Sequence, residues 1–230
     1  STTSSEAKVP AQFSYLPPSK SMAASTGLTI AIIRPEFVNL NSSNYVEPFP
    51  TMSTSMAGDF NQMLTAKGFK VLGTVYQNIS AMTYSEQQST DICFKVEIMT
   101  TPVLTEDQPK LHVGLGSLLP SYYTTSGQVY FAGRFHIAAY SPHNILLWQK
   151  DINVDPVSAR YEGTTHWSMP PSGPGSLGEQ MIKDATIYNL ITKKLQAIYE
   201  NEMVLAWQQI DPNEMKVIAK QAKEADKKFN

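Results

Sequence analysis

The residues of this chain that could carry catalysis or hold a metal are four histidines, one cysteine, two glycine-preceded serines and three acidic residues near predicted strand ends. His112, His136, His143 and His166 include no pair at the helical spacing that would aim two imidazoles at one zinc ion, and one cysteine supplies no thiolate set. Cys93 lies in the apolar stretch Ile92-Cys93-Phe94 and reads as a buried, inert thiol. Ser117 and Ser176 follow glycines, but neither sits in the Gly-x-Ser-x-Gly turn that exposes a nucleophile. The stretch from Gly114 to Leu119 lacks the third glycine of a dinucleotide-binding turn. Asp151, Asp155 and Glu162 are acidic, as strand ends often are, and do not by themselves form a glycosidase pair. The expectation is a protein without catalytic residues, metal or cofactor.

Aromatic residues in two long segments suggest binding instead. Tyr122 and Tyr123 close an insert over residues 101–127, while Tyr161 and Trp167 lie in a second, over residues 155–178. An exposed aromatic ring offers an apolar face with a polar edge, which is what the face of a sugar requires. The competing reading is that the same rings pack the loops against a sheet.

The elements that must position these residues follow from periodicity. Residues 28–33 form a nearly continuous apolar run, read as a strand covered on both faces. Met56, Phe60, Met63 and Leu64 recur at helical spacing, with Ser53 or Thr54 as N-cap and Gly68 past the C-terminus. Residues 69–76 form the next strand, so the strand–helix–strand unit predicts a parallel pair. Residues 91–100 give a third strand. Val129, Phe131, Phe135, Ile137 and Ala139 alternate, as do Leu146, Trp148, Ile152 and Val154 beyond a turn at residues 141–144. That is a hairpin, with Arg134, His136, Gln149 and Asp151 facing outward.

A long amphipathic helix is predicted over residues 179–209. Its Met203, Leu205 and Trp207 could support a homodimer, and Asp211-Pro212 restarts a short helix before a charged, projecting tail. The fold class is α+β: a two-layer sandwich of a mixed sheet with helices mainly on one face and a long C-terminal helix. Residues 1–26 read as an extended lead or tether, 27–210 as one domain and 211–230 as a short helix and tail.

With 42% hydrophobic and 17% charged residues the chain is globular in composition. A net charge of -2 supplies no general attraction for nucleic acid.

Several segments together resemble the neuraminyllactose-binding haemagglutinin family. They are Ile32-Ile33-Arg34-Pro35-Glu36-Phe37, Lys67-Gly68-Phe69-Lys70-Val71-Leu72, Tyr15 with Pro17, the Ser/Gly loop at residues 172–176, and Ile182-Lys183-Asp184-Ala185 with the lysine-rich tail. Their order is collinear from about residue 12 to 228, in the manner of a divergent paralogue. The resemblance implies an adhesin of the outer membrane, anchored by a lipidated cysteine ahead of Ser1, with a host glycan or glycoprotein as partner. The alternative is a structural lipoprotein that contacts other envelope proteins through its helical face or tail. The family's sialyl binding is attributed to a basic run after the third strand. Here residues 102–110 hold Glu106 and Asp107 and a single cation, Lys110, with His112 just beyond. A sialic carboxylate wants a positive partner. The sialyl site therefore does not carry over, and Lys110 and His112 join Tyr122, Tyr123, Tyr161 and Trp167 as candidate ligand-binding residues.

Overall fold

The computed structural model describes residues 7–18, 23–108, 110–115, 121–165 and 176–229. The buried apolar run Thr29–Ile33 is strand β1, followed by the short β2 (Glu36–Phe37) and helix α1 (Phe49–Ala66). Helix α1 starts ahead of the expected Ser53 or Thr54 cap. Ser53 is buried instead, with its hydroxyl donating to the Pro35 carbonyl. Gly68 ends the helix with φ +89, as its position predicted. Strand β3 (Lys70–Tyr76) then pairs with β1 in parallel, the outcome a crossover helix demands.

Beyond a 3-10 turn (Ile79–Ala81), helix α2 (Tyr84–Ser89) is closed by a capping box between Thr83 and Glu86. Strand β4 (Ile92–Ile98) lies parallel to β1 and β2 and antiparallel to β7 (Tyr122–Tyr140), which makes the sheet mixed. Strand β8 (Leu146–Thr165) pairs with β7 along nearly its whole length.

Alternation sorts the side chains. Ile30, Ile32, Phe94, Val96, Phe135 and Ile137 join one large core with Met56, Phe60 and Met63 of α1. Ile191, Leu195 and Tyr199 of helix α4 (Ala185–Gln209) meet the same core. The opposite face carries Ala31, Ile33 and Cys93, covered by Met82 and Tyr76. Burial among these apolar groups pushes the Cys93 thiol up to about 12, so it stays protonated.

Three segments differ from the sequence reading. The described residues of the two long loops are largely strand: β5 (Val103–Glu106) and β6 (Lys110–His112) occupy the first insert, and β7 and β8 run on into both. The long helix is broken at Asp184, whose carboxylate accepts from the Thr186 and Ile187 amides and separates α3 (Leu177–Lys183) from α4. The closing segment is α5 (Pro212–Phe229), which buries Met215, Ile218, Ala219 and Ala222 at helical spacing and ties Lys223 to Asp91 at 2.5 Å.

Residues 7–18 are extended but not loose. Phe13 is buried against Tyr199, and Asp59 accepts both the Tyr15 amide and the Tyr199 hydroxyl. At the end of α4, Met203 is buried and Trp207 packs on the core beneath the Lys67 ammonium. Met203 is thus part of the core, and Leu205 and Trp207 are partly buried against it.

Candidate functional site

Strands β5, β6, β7 and β8 build a three-stranded arm that places the candidate residues. Over residues 122–131 of β7, β8 runs along one edge while β5 and then β6 run along the other. The two segments read as loops therefore meet: Tyr123 stands opposite Thr165, and Ser126 opposite Glu162. The even-numbered residues of β7 face away from the helices, and the odd-numbered Val129 and Phe131 enter the core.

Three candidates share the open face. His112 is the register partner of Tyr122, and their rings stack at 4.6 Å with an interplanar angle of 9°. Lys110 lies two residues back on the same strand, opposite Thr124. Farther along, exposed Val103 pairs with exposed Tyr130, and Arg160 reaches across to Asp107 at 2.7 Å. Ser126 donates to the same Asp107 oxygen. The sequence reading missed Tyr130, Arg160 and Asp107. Period-two alternation through residues 122–130 was the available signal, hidden by Gly127 and by polar residues.

The same face continues onto the body of the sheet. There Glu36, Glu97, His136 and Asp151 stand in one cross-strand row over β2, β4, β7 and β8. His136 Nδ1 lies 2.7 Å from Asp151, Arg134 is 3.4 Å from the same carboxylate, and Lys95 bridges Glu36 and Glu97 at 2.8 Å. Arg134, His136 and Asp151 are outward residues that alternation predicted. From Tyr122 to His136 the open face runs roughly 45 Å along β7.

The remaining candidates are placed otherwise. Tyr123 lies on the reverse of the arm opposite Leu111. Tyr161 is buried on the helix side, its ring over Gly127, where a Cβ would meet the Thr105 carbonyl at 2.0 Å and the tyrosine hydroxyl at 2.8 Å. Burial, with the charges of Glu106, Asp184 and Asp107 behind it, pushes the Tyr161 hydroxyl up to about 12. That hydroxyl has no hydrogen-bond partner among the described residues. Tyr161 is therefore a packing residue that fills the gap opposite a glycine. Trp167 lies outside the described residues.

Two open hollows, of ≈ 350 Å³ near Asn78 and His143 and ≈ 200 Å³ near Lys8 and Tyr188, contain none of the six candidates. Among the described residues no group of three or more His, Cys, Asp or Glu side chains could hold a metal ion, and no helix is long and apolar enough to cross a membrane. What the geometry offers is an exposed, stacked, hydrogen-bonding surface.

No family model matches the chain, and no curated protein matches it. Among solved structures, it is similar to a Helicobacter pylori protein named as a homolog of the neuraminyllactose-binding hemagglutinin. The match has a TM-score of 0.57 and covers 94% of this chain and 100% of that one, at 13% identity. The two share a fold. At that identity the likeness shows the fold alone, and brings across no ligand.

Proposed function

We propose that this chain is a non-catalytic adhesin of the cell envelope, held as an outer-membrane lipoprotein, that takes a host glycan or glycoprotein on the open face of its arm. The observation that carries the reading is the stack of exposed His112 on half-buried Tyr122, on a face bordered by polar side chains. The fold shared with a haemagglutinin homolog supports it. An aromatic platform flanked by Lys110, Thr124 and Ser126 can stack on a sugar ring and bond its hydroxyls. Sialylated ligands fit less well than neutral ones, because Lys110 is the one cation beside the stack and no basic run accompanies it.

A glycan array probed with the full chain tests this. Binding to one or a few neutral glycans, reduced about tenfold or more by Tyr122→Ala and His112→Ala, is the expected result. Signal no higher than background, or signal indifferent to both substitutions, would remove the basis for the reading.

A further inference from the structure

Strand β8 leaves open the longest strand edge in the described structure. Among the described residues its 20 residues pair with β7 alone, and no backbone hydrogen bond joins residues 157–165 to any other element. An unpaired edge of this length is a template for another strand. The far sheet edge, β3, has seven residues, and β5 and β6 have four and three. A phase change divides β8. Val154 stands opposite Gly133 but Val157 opposite Phe131, so one extra residue is inserted at Asp155–Pro156. Proline there donates nothing to a ladder. Beyond it, residues 157–165 hold neither proline nor bulge.

We infer that two copies of this chain pair antiparallel through residues 157–165 of β8, about a twofold axis at Tyr161. The charges select that register. Ser158, Arg160 and Glu162 alternate onto the open face, in register with Tyr130, Gln128 and Ser126 of β7. An axis normal to the sheet keeps like-facing residues together. Centred on Arg160 it would oppose two arginines, and centred on Glu162 two glutamates. Centred on Tyr161 it sets Arg160 of each copy opposite Glu162 of the other, twice. Arg160 is exposed and spends one terminal nitrogen on Asp107, leaving guanidinium donors for the second carboxylate.

The pairing has a functional consequence. The axis places both open faces on the same side of one continuous sheet, so two His112–Tyr122 stacks would meet the same surface. Two sites on one rigid body raise apparent affinity without any new contact. The pairing itself does not depend on what the stacks bind.

Sedimentation velocity on the full chain, from about 1 to 100 µM, is the test. The wild type should pass from monomer to dimer. Arg160→Glu replaces both ion pairs with like-charge contacts and should weaken the dimer about tenfold. The double variant Arg160→Glu with Glu162→Arg should restore it, although the contact to Asp107 stays lost, which separates pairing from folding. Asp107→Ala should dimerise as the wild type does. In a second arm, Arg160→Cys and Glu162→Cys proteins mixed under oxidised glutathione should crosslink as a mixed pair far faster than either alone, since opposed strand residues lie within disulfide reach. A monomer across the whole range would overturn the inference. So would a dimer indifferent to Arg160→Glu, a double variant that stays monomeric, or equal crosslinking in all samples.

Discussion

Glu202 sits where a carboxylate is costly, and that cost should be readable as a pH dependence of stability. It lies on α4 at 1% exposure. One oxygen has no partner, and the other accepts only a 3.4 Å bond from Asn201. Burial raises its pKa from 4.5 to about 7, the Asn201 bond lowers it, and the nearby Asp155 charge adds to the rise. A rise of this size corresponds to about 3 kcal/mol between the two protonation states. The folded state holds the proton more tightly than the unfolded chain. Its contribution is therefore complete below about pH 4.5 and is lost as pH rises through about 7.

Urea unfolding of wild type and Glu202→Gln at pH 4, 5.5, 7 and 8.5 isolates the effect, because the other titrating groups cancel in the difference. Near pH 4 the two should agree within about 1 kcal/mol, the amide replacing a neutral acid. By pH 8.5 the variant should be more stable by about 2–3 kcal/mol, most of the gap opening between pH 5 and 7. Asp155→Asn should shift the wild-type transition downward by a fraction of a pH unit, because the charge it removes is one that raises the Glu202 pKa. A difference between wild type and Glu202→Gln that is the same at all four pH values would refute the reasoning, since a buried acid of raised pKa cannot behave so.

Other expectations follow from single contacts. Tyr161→Phe deletes a buried hydroxyl that bonds to nothing and should leave the melting temperature unchanged or slightly higher, whereas Tyr161→Ala should cost about 3 kcal/mol in chemical denaturation. Gly127→Ala drives a methyl group into the Thr105 carbonyl, and should cost about 1–3 kcal/mol and speed amide exchange in β5 and the adjoining part of β7. Asp59→Ala removes the acceptor shared by the Tyr15 amide and Tyr199, so limited proteolysis should cut within residues 7–18 well before the rest of the chain.

The body of the fold was legible because burial there is two-sided and apolar. Residues 28–33 are apolar throughout, and the α1 stripe and most of the 129–154 hairpin repeat one period, so pattern and structure agree there; a register shift between Trp148 and Leu146 leaves Leu146 exposed, against the alternation. The arm was not legible, for reasons found in its residues. Gly127 leaves a gap on the core-facing side of β7, and the group that fills it, Tyr161, comes from the neighbouring strand rather than from its own. In β8 the extra residue at Asp155–Pro156 moves the core-facing set from even to odd numbers, so no single alternation spans the strand. Asp184 stops a helix without glycine or proline, by capping the next one. In α5, Lys216, Lys220, Lys223 and Glu224, interleaved with the apolar positions, masked a stripe that Met215, Ile218, Ala219 and Ala222 do carry.

The same interruptions explain why the arm is where binding is to be sought. A strand pair that repeated its apolar set throughout would bury both faces of the arm and expose no rings. Because the phase change and Gly127 confine burial to one side, the other keeps Tyr122, His112, Lys110 and Tyr130 facing solvent on a ladder rigidly registered to the core. Tyr161 shows what separates a binding ring from a packing ring here. It stands on an odd-numbered position past the bulge and faces the helices, whereas Tyr122 stands on an even-numbered position of β7 and faces away. Residue type alone could not divide them, but strand parity does.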